Sequence, residues 1–272
     1  MINGCKISLF SSVGNSRGNQ EDNALFMDRR ILSEQDLAFI STSRETYATT
    51  YSREVGGGFM VAVSDGMGGH ACGEVASALT VGYLAEHYDR IIESAYLNER
   101  AVVSEIGELN RRIVAYSKSR EGLRGMGATL CGVICSKGLY YGFSVGDSRM
   151  YRYAGHTLEQ LSEDHTEGRR LRKLNLLSEE ELETFPRRKN LYKYIGMGGD
   201  LIADVFKISS CIPGTTLLLC SDGLTDVILD EEISTVLGSP ALLEEKGSLL
   251  LNRAKERNPG HGDNITLLLI EF

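Results

Sequence analysis

Four short apolar runs, far apart in the chain, each abut an aspartate. FMVAVS (59–64) ends at Asp65, YYGFSVG (140–146) at Asp147 and TLLLCS (216–221) at Asp222, and Asp263 stands just ahead of ITLLLIEF (265–272). Runs of this length and composition read as buried strands. A carboxylate at a strand end is held by rigid backbone yet can open into a cleft. Several such ends converging would crowd like charges together, which is costly unless cations neutralise them. Oxygen donors without a sulfur or histidine cluster favour Mg²⁺ or Mn²⁺ over Zn²⁺. Glycine beside such an aspartate lets a backbone carbonyl approach an ion unhindered. Turn or helix-cap chemistry accounts for any one of these aspartates. It does not explain why all four terminate core strands.

The rest of the pattern sets the layers. Residues 74–92 read as one helix, with Val75, Leu79, Tyr83, Leu84, Tyr88 and Ile91 recurring at three and four. Val102, Ile106, Leu109, Ile113 and Tyr116 continue that spacing on a second helix. Strands are expected over 128–135, 139–145, 150–153, 157–161, 215–220 and 265–271, with a hairpin turn at Ala154-Gly155-His156. Further helices are expected over 230–237 and 241–256, and Ser178 with Glu181 forms a capping box for another. Strands in blocks and helices in blocks point to α+β layers rather than a doubly wound parallel sheet. The polar stretch 33–58 reads as a long hairpin or a mobile loop.

Composition narrows the function. The net charge of −8 argues against a general nucleic-acid binder, which needs a basic face for phosphates. The six cysteines form no CxxC pair and read as reduced, buried thiols, which suggests a reducing compartment. The apolar runs are strand-sized, too short to span a membrane. A cytoplasmic protein without a membrane segment is the expectation.

The motifs, taken in order, are Arg17-x-x-x-Glu21-Asp22-Asn23, Asp65-Gly66-Met67-Gly68-Gly69-His70, Gly125-Met126-Gly127-Ala128-Thr129, Gly146-Asp147-Ser148-Arg149, Ser221-Asp222-Gly223-Leu224-Thr225-Asp226 and Gly262-Asp263-Asn264. Together they resemble the type 2C family of metal-dependent protein phosphatases, in its bacterial serine/threonine branch. The resemblance spans nearly the whole chain and implies a single catalytic domain over 1–272. It implies a four-layer α-β-β-α sandwich, two antiparallel β-sheets flanked by helices, with a flap segment at about 164–200. Two or three Mn²⁺ or Mg²⁺ ions are implied at one end of the sandwich. By the resemblance, Asp65 bridges two cations, the Gly66 carbonyl binds the second, Asp222 and Asp263 hold the first, and Asp147 helps hold a third. Glu21 and Asp22 would act through metal-bound water, and Arg17 would grip the substrate phosphate.

The expected chemistry is hydrolysis of phosphoserine and phosphothreonine. Two cations about 3.5–4 Å apart lower the pKa of a shared water, which attacks phosphorus in line. No C-x₅-R loop is evident, so neither Cys72 nor Cys220 needs a catalytic role. Met67 occupies the place of a histidine that many eukaryotic relatives use as general acid, and His70 is the candidate in its stead. His165 and His261 read as structural or peripheral. The expected partners are phosphorylated proteins, including a serine/threonine kinase or its targets. A non-catalytic sensor and a different two-metal phosphohydrolase remain alternatives.

Overall fold

Strand segments that are apolar on both faces need a core on each side, and the fold supplies three. The computed structural model describes residues 4–54, 58–67, 72–209, 211–257 and 262–272. One sheet contains β1 (Gly4–Ser12), β4 (Tyr47–Glu54), β9 (Arg149–Ala154), β10 (Thr157–Gln160), β12 (Thr216–Cys220) and β13 (Ile265–Glu271). Its order is β10-β9-β12-β13-β1-β4. The other contains β2 (Asp22–Phe26), β3 (Arg30–Ile31), β5 (Phe59–Met67), β7 (Leu130–Ser136), β8 (Leu139–Val145) and β11 (Asp204–Ile208), with β6 (Gly127–Ala128) paired to the end of β5. Its order is β11-β8-β7-β5-β2-β3, and the pairings in both sheets are antiparallel.

Helices cover the outer faces. Helices α2 (Cys72–Glu86), α3 (Tyr88–Leu97) and α4 (Glu99–Lys118) pack on the second sheet. On the first sheet lie α8 (Asp230–Leu237) and α9 (Leu243–Arg257). The result is the expected α-β-β-α sandwich.

Strand periodicity explains the continuous apolar runs. Along β5, Phe59, Val61 and Val63 enter the layer between the sheets, while Met60 and Ala62 face the helices. Along β12, Leu217 and Leu219 face inward and Leu218 and Cys220 face α8 and α9. Both faces are buried, so no polar alternation marks these strands. The same period puts Asp65 on the inter-sheet face of β5. It puts Asp22 on the matching face of β2, where Ala24 and Phe26 point inward. The sheet register then sets Asp22 directly opposite Asp65.

Several expectations need correction. The described residues of 33–58 include a helix and a strand in place of the expected long hairpin or mobile loop. Ser33 caps α1 (Glu34–Ser43) in a reciprocal capping box with Asp36, and β4 then pairs with β1. The expected helix over 74–92 is two helices parted at His87, which has φ −104° and ψ 20°. The apolar period crosses the break because Tyr83, Leu84, Tyr88 and Ile91 feed one core. The strand expected over 128–135 is divided into β6 and β7. The capping box at Ser178 and Glu181 is present and starts α6 (Glu179–Thr184). All six cysteines are buried, and none forms a disulfide. Among the described residues, no helix is long and apolar enough to cross a membrane.

Candidate active site

An open cleft of about 640 Å³ lies at one end of the sandwich, lined by Arg17, Glu21, Asp65, Gly66, Met67, Thr129, Asp147, Asp222 and Asp263. Its remaining wall is Lys189, Asn190, Leu191 and Tyr194, from the end of the segment expected to be a flap. The four aspartates from distant strand ends therefore do meet. Asp65 enters from β5, Asp147 just after β8, Asp222 just after β12 and Asp263 just before β13.

Their crowding shows in their acidity. Burial, with Asp22, Asp222, Asp147 and Asp263 nearby, raises the Asp65 carboxyl well above the usual range. Burial also raises Asp222 to about 6, helped by Asp226 and Asp263. Asp147 is pushed to about 7 by burial and by Asp222 and Asp164. Asp22 is pushed to about 7 by burial, against the hydrogen bonds that lower it. Glu21 is raised by burial, partly offset by Arg17.

Asp22 does not reach the cleft surface. It is 1% exposed and its Oδ2 accepts a 2.8 Å hydrogen bond from the Ser221 hydroxyl. It lies beneath Asp65 and is placed to support that strand end, not to touch a substrate. Arg17 lines the cleft and is engaged with Asp263. Its Nε and terminal nitrogen donate to the two Asp263 oxygens at 2.8 Å each, in a bidentate fork. His70 and His261 lie outside the described residues.

Whether cations suit this cleft can be judged from the donors. Asp222 Oδ1 and Asp22 Oδ1 are buried with no hydrogen-bond donor among the described residues. The other contact of Asp222 is with Asp65, one acid leaning on another. Among the described residues, no three histidine, cysteine or acidic side chains stand as a finished metal cage. Arg17 holds Asp263, and Asp65 and Asp222 share a contact that a cation would replace. The donor set is all oxygen and short of positive charge, so the residues fit hard divalent cations.

Two residues the aspartate pattern passes over hold this geometry. Thr129 pins Asp65 from both sides: its Oγ1 accepts the Asp65 N–H at 2.9 Å and its own N–H donates to the Asp65 carbonyl at 2.8 Å. Asn264 Nδ2 donates to the Val13 and Asn19 carbonyls at 3.0 Å each, and Oδ1 accepts the Glu21 N–H at 2.7 Å. Both stand in the quoted motifs, beside or near an aspartate. Lys189 was reachable only through the basic run Arg187-Arg188-Lys189, and its ion pair with Asp226 needs the fold.

Gly66 is required by close backbone approach. A Cβ there would lie 2.0 Å from the Gly73 carbonyl oxygen and 2.7 Å from that of Glu21. Gly66→Ala must push α2 away from β5, and is expected to cost about 3 kcal/mol by chemical denaturation. A stability equal to wild type would show that this packing is looser than described.

Comparison with known proteins follows the same lines. The family described as Protein phosphatase 2C matches residues 46–250. Serine/threonine phosphatase stp of Listeria welshimeri is 37% identical over 214 residues, covering 78% of this chain and 84% of its own. Protein phosphatase PhpP of Streptococcus pneumoniae is 32% identical over 235 residues, covering 85% of this chain and 92% of its own. The solved serine/threonine phosphatase of S. agalactiae superposes with a TM-score of 0.79 at 25% identity, covering 98% of this chain and 99% of its own.

Proposed function

The chain belongs to the protein phosphatase 2C family and is a protein serine/threonine phosphatase, and on that premise we propose that its whole length forms one catalytic unit working through the acidic cleft. Asp65, the Gly66 carbonyl, Asp222 and Asp263 would hold two Mn²⁺ or Mg²⁺ ions, with Asp147 at the edge for a third. When bound, the cations neutralise phosphate oxygens and make water acidic enough to attack near neutral pH.

The chain's own groups do the rest. Glu21, half-buried and raised in pKa, can hold a water by hydrogen bond at the cleft floor. Asp22 and Ser221 fix the strand ends beneath. Arg17 turns its fork from Asp263 to two phosphate oxygens, orienting phosphorus for in-line attack. Water oxygen bonds to phosphorus, the bond to the serine or threonine oxygen breaks, and that oxygen takes a proton. His70 and water are the two sources for this proton. The products are inorganic phosphate and the free hydroxyl side chain.

The observation that carries this reading is the convergence of Asp65, Asp147, Asp222 and Asp263 on the cleft that Arg17 also lines. The resemblance to bacterial serine/threonine phosphatases supports a role opposing a serine/threonine kinase in the cytoplasm. Turnover of a phosphothreonine peptide should require Mn²⁺ or Mg²⁺ and stop with EDTA. Single-stranded DNA and nucleotides assayed beside it should be poor substrates. Preference for either of these, or full activity in EDTA, would refute the proposal.

A further inference from the structure

His165 is 1% exposed and makes a pair of bonds to one residue of the catalytic rim. Its Nδ1 accepts the Gly146 N–H at 2.9 Å, and its own backbone N–H donates to the Gly146 carbonyl at 2.9 Å. An amide N–H can only donate, so Nδ1 carries the lone pair and the ring proton sits on Nε2. Nε2 then donates to Asp204 Oδ2 at 3.1 Å. Asp204 is held from the other side by Lys193 Nζ at 2.7 Å.

Gly146 needs such a clamp. It adopts φ +104°, and a Cβ there would lie 2.7 Å from the Thr129 side chain. It immediately precedes Asp147. The same histidine also reaches the opposite wall. Its carbonyl accepts the Tyr192 N–H at 3.0 Å, and its ring meets the Tyr192 ring edge-on at 5.7 Å. Tyr192 and Lys193 lie between Leu191 and Tyr194, which face the cleft.

We propose that His165 is a positioning residue that, as a neutral imidazole accepting the Gly146 amide, sets the Asp147 carboxylate and ties it to the substrate-facing wall at 189–194. This rests on the reading of Asp147 as a cation-holding group. A histidine that only filled space would not need its Nδ1 to be an acceptor. The role predicts two separable losses: cation affinity through Gly146, and substrate affinity through Asp204 and Lys193.

His165→Asn and His165→Gln separate them. The Asn carbonyl oxygen stands where Nδ1 does and can still accept from Gly146. The Gln amide reaches the Nε2 place and leaves the Gly146 N–H buried without an acceptor. Mn²⁺ binding is measured by calorimetry without substrate, beside KM and kcat on a phosphothreonine peptide at saturating Mn²⁺. H165N should bind Mn²⁺ within about 3-fold of wild type with KM raised, and H165Q should bind Mn²⁺ about 10-fold more weakly with KM nearer wild type, kcat changing less in both. Equal Mn²⁺ affinity in the two variants, or a fall in kcat alone, overturns the proposal. If H165Q does not fold, Asp204→Asn decides. It should raise KM and leave Mn²⁺ binding unchanged, and weaker Mn²⁺ binding there counts against the clamp. Wild-type turnover with Mn²⁺ is the control, since its absence would overturn the function itself and not the clamp.

Discussion

Asp222→Asn should lower kcat/KM on a phosphopeptide by about 10³-fold or more at fixed Mn²⁺, equivalent to about 4 kcal/mol of lost transition-state stabilisation. The side chain keeps its shape and loses its charge. Asp222 lies against Asp65 in a buried cluster, with one oxygen that no donor among the described residues satisfies. A neutral amide in that place cannot hold a divalent cation as a carboxylate does, and its N–H₂ end points a donor where cations belong. Stability should move the other way. In EDTA the wild type carries buried like charges that the variant relieves, so the variant should melt higher. Mn²⁺ should then raise the melting temperature of the wild type and leave the variant nearly unmoved. A residue of only structural value loses activity and stability together, so the opposed signs are diagnostic. Undiminished turnover by the variant would end the cation account of this cleft.

The cation-free protein should also lose stability as pH rises from about 5 to about 8, by about 5–10 °C in melting temperature. Asp222 is raised from 3.8 to about 6, and Asp22 and Asp147 from 3.8 to about 7, chiefly by burial. Asp65 is raised as well. A carboxyl whose folded pKa exceeds its unfolded one binds its proton more tightly when folded. That contribution is fully present below about pH 4 and disappears as pH climbs through 6 to 7. Each unit of difference is worth about 1.4 kcal/mol, and a few such kcal/mol give the stated shift for a chain of this size. Asp204 has the opposite sign, being lowered to about 2, but its contribution is already complete above pH 4 and stays flat over this window. Saturating Mn²⁺ should abolish the decline, because the cations neutralise the same carboxylates. Scanning calorimetry in EDTA at both pH values, at matched ionic strength, measures it. A melting temperature that is level or rises toward pH 8 would show that these acids are not crowded.

Much of the architecture was legible because it is local. Strands over 139–145 and 265–271 and the helix over 230–237 match the observed bounds, since continuous burial and a 3.6-residue period are written in neighbouring residues. The capping boxes show the limit of that reading. The pair at Ser178 is legible in the sequence, while the same chemistry at Ser33 with Asp36 has no apolar stripe behind it, since the following helix has only one buried residue, Ile40. Without an apolar stripe, periodicity has nothing to detect.

The four strand-end aspartates, their all-oxygen chemistry and the motif order that marks the family were set by the amino-acid sequence itself, because each depends on residue type and short spacing. Only the tertiary structure placed Asp22 beneath Asp65, closed Arg17 onto Asp263, brought Lys189 and Tyr194 to the cleft and turned His165 toward Gly146. Those relations join residues tens to hundreds apart in the chain. They follow from sheet register and from the filling of the layer between the sheets, neither of which any short stretch of sequence encodes.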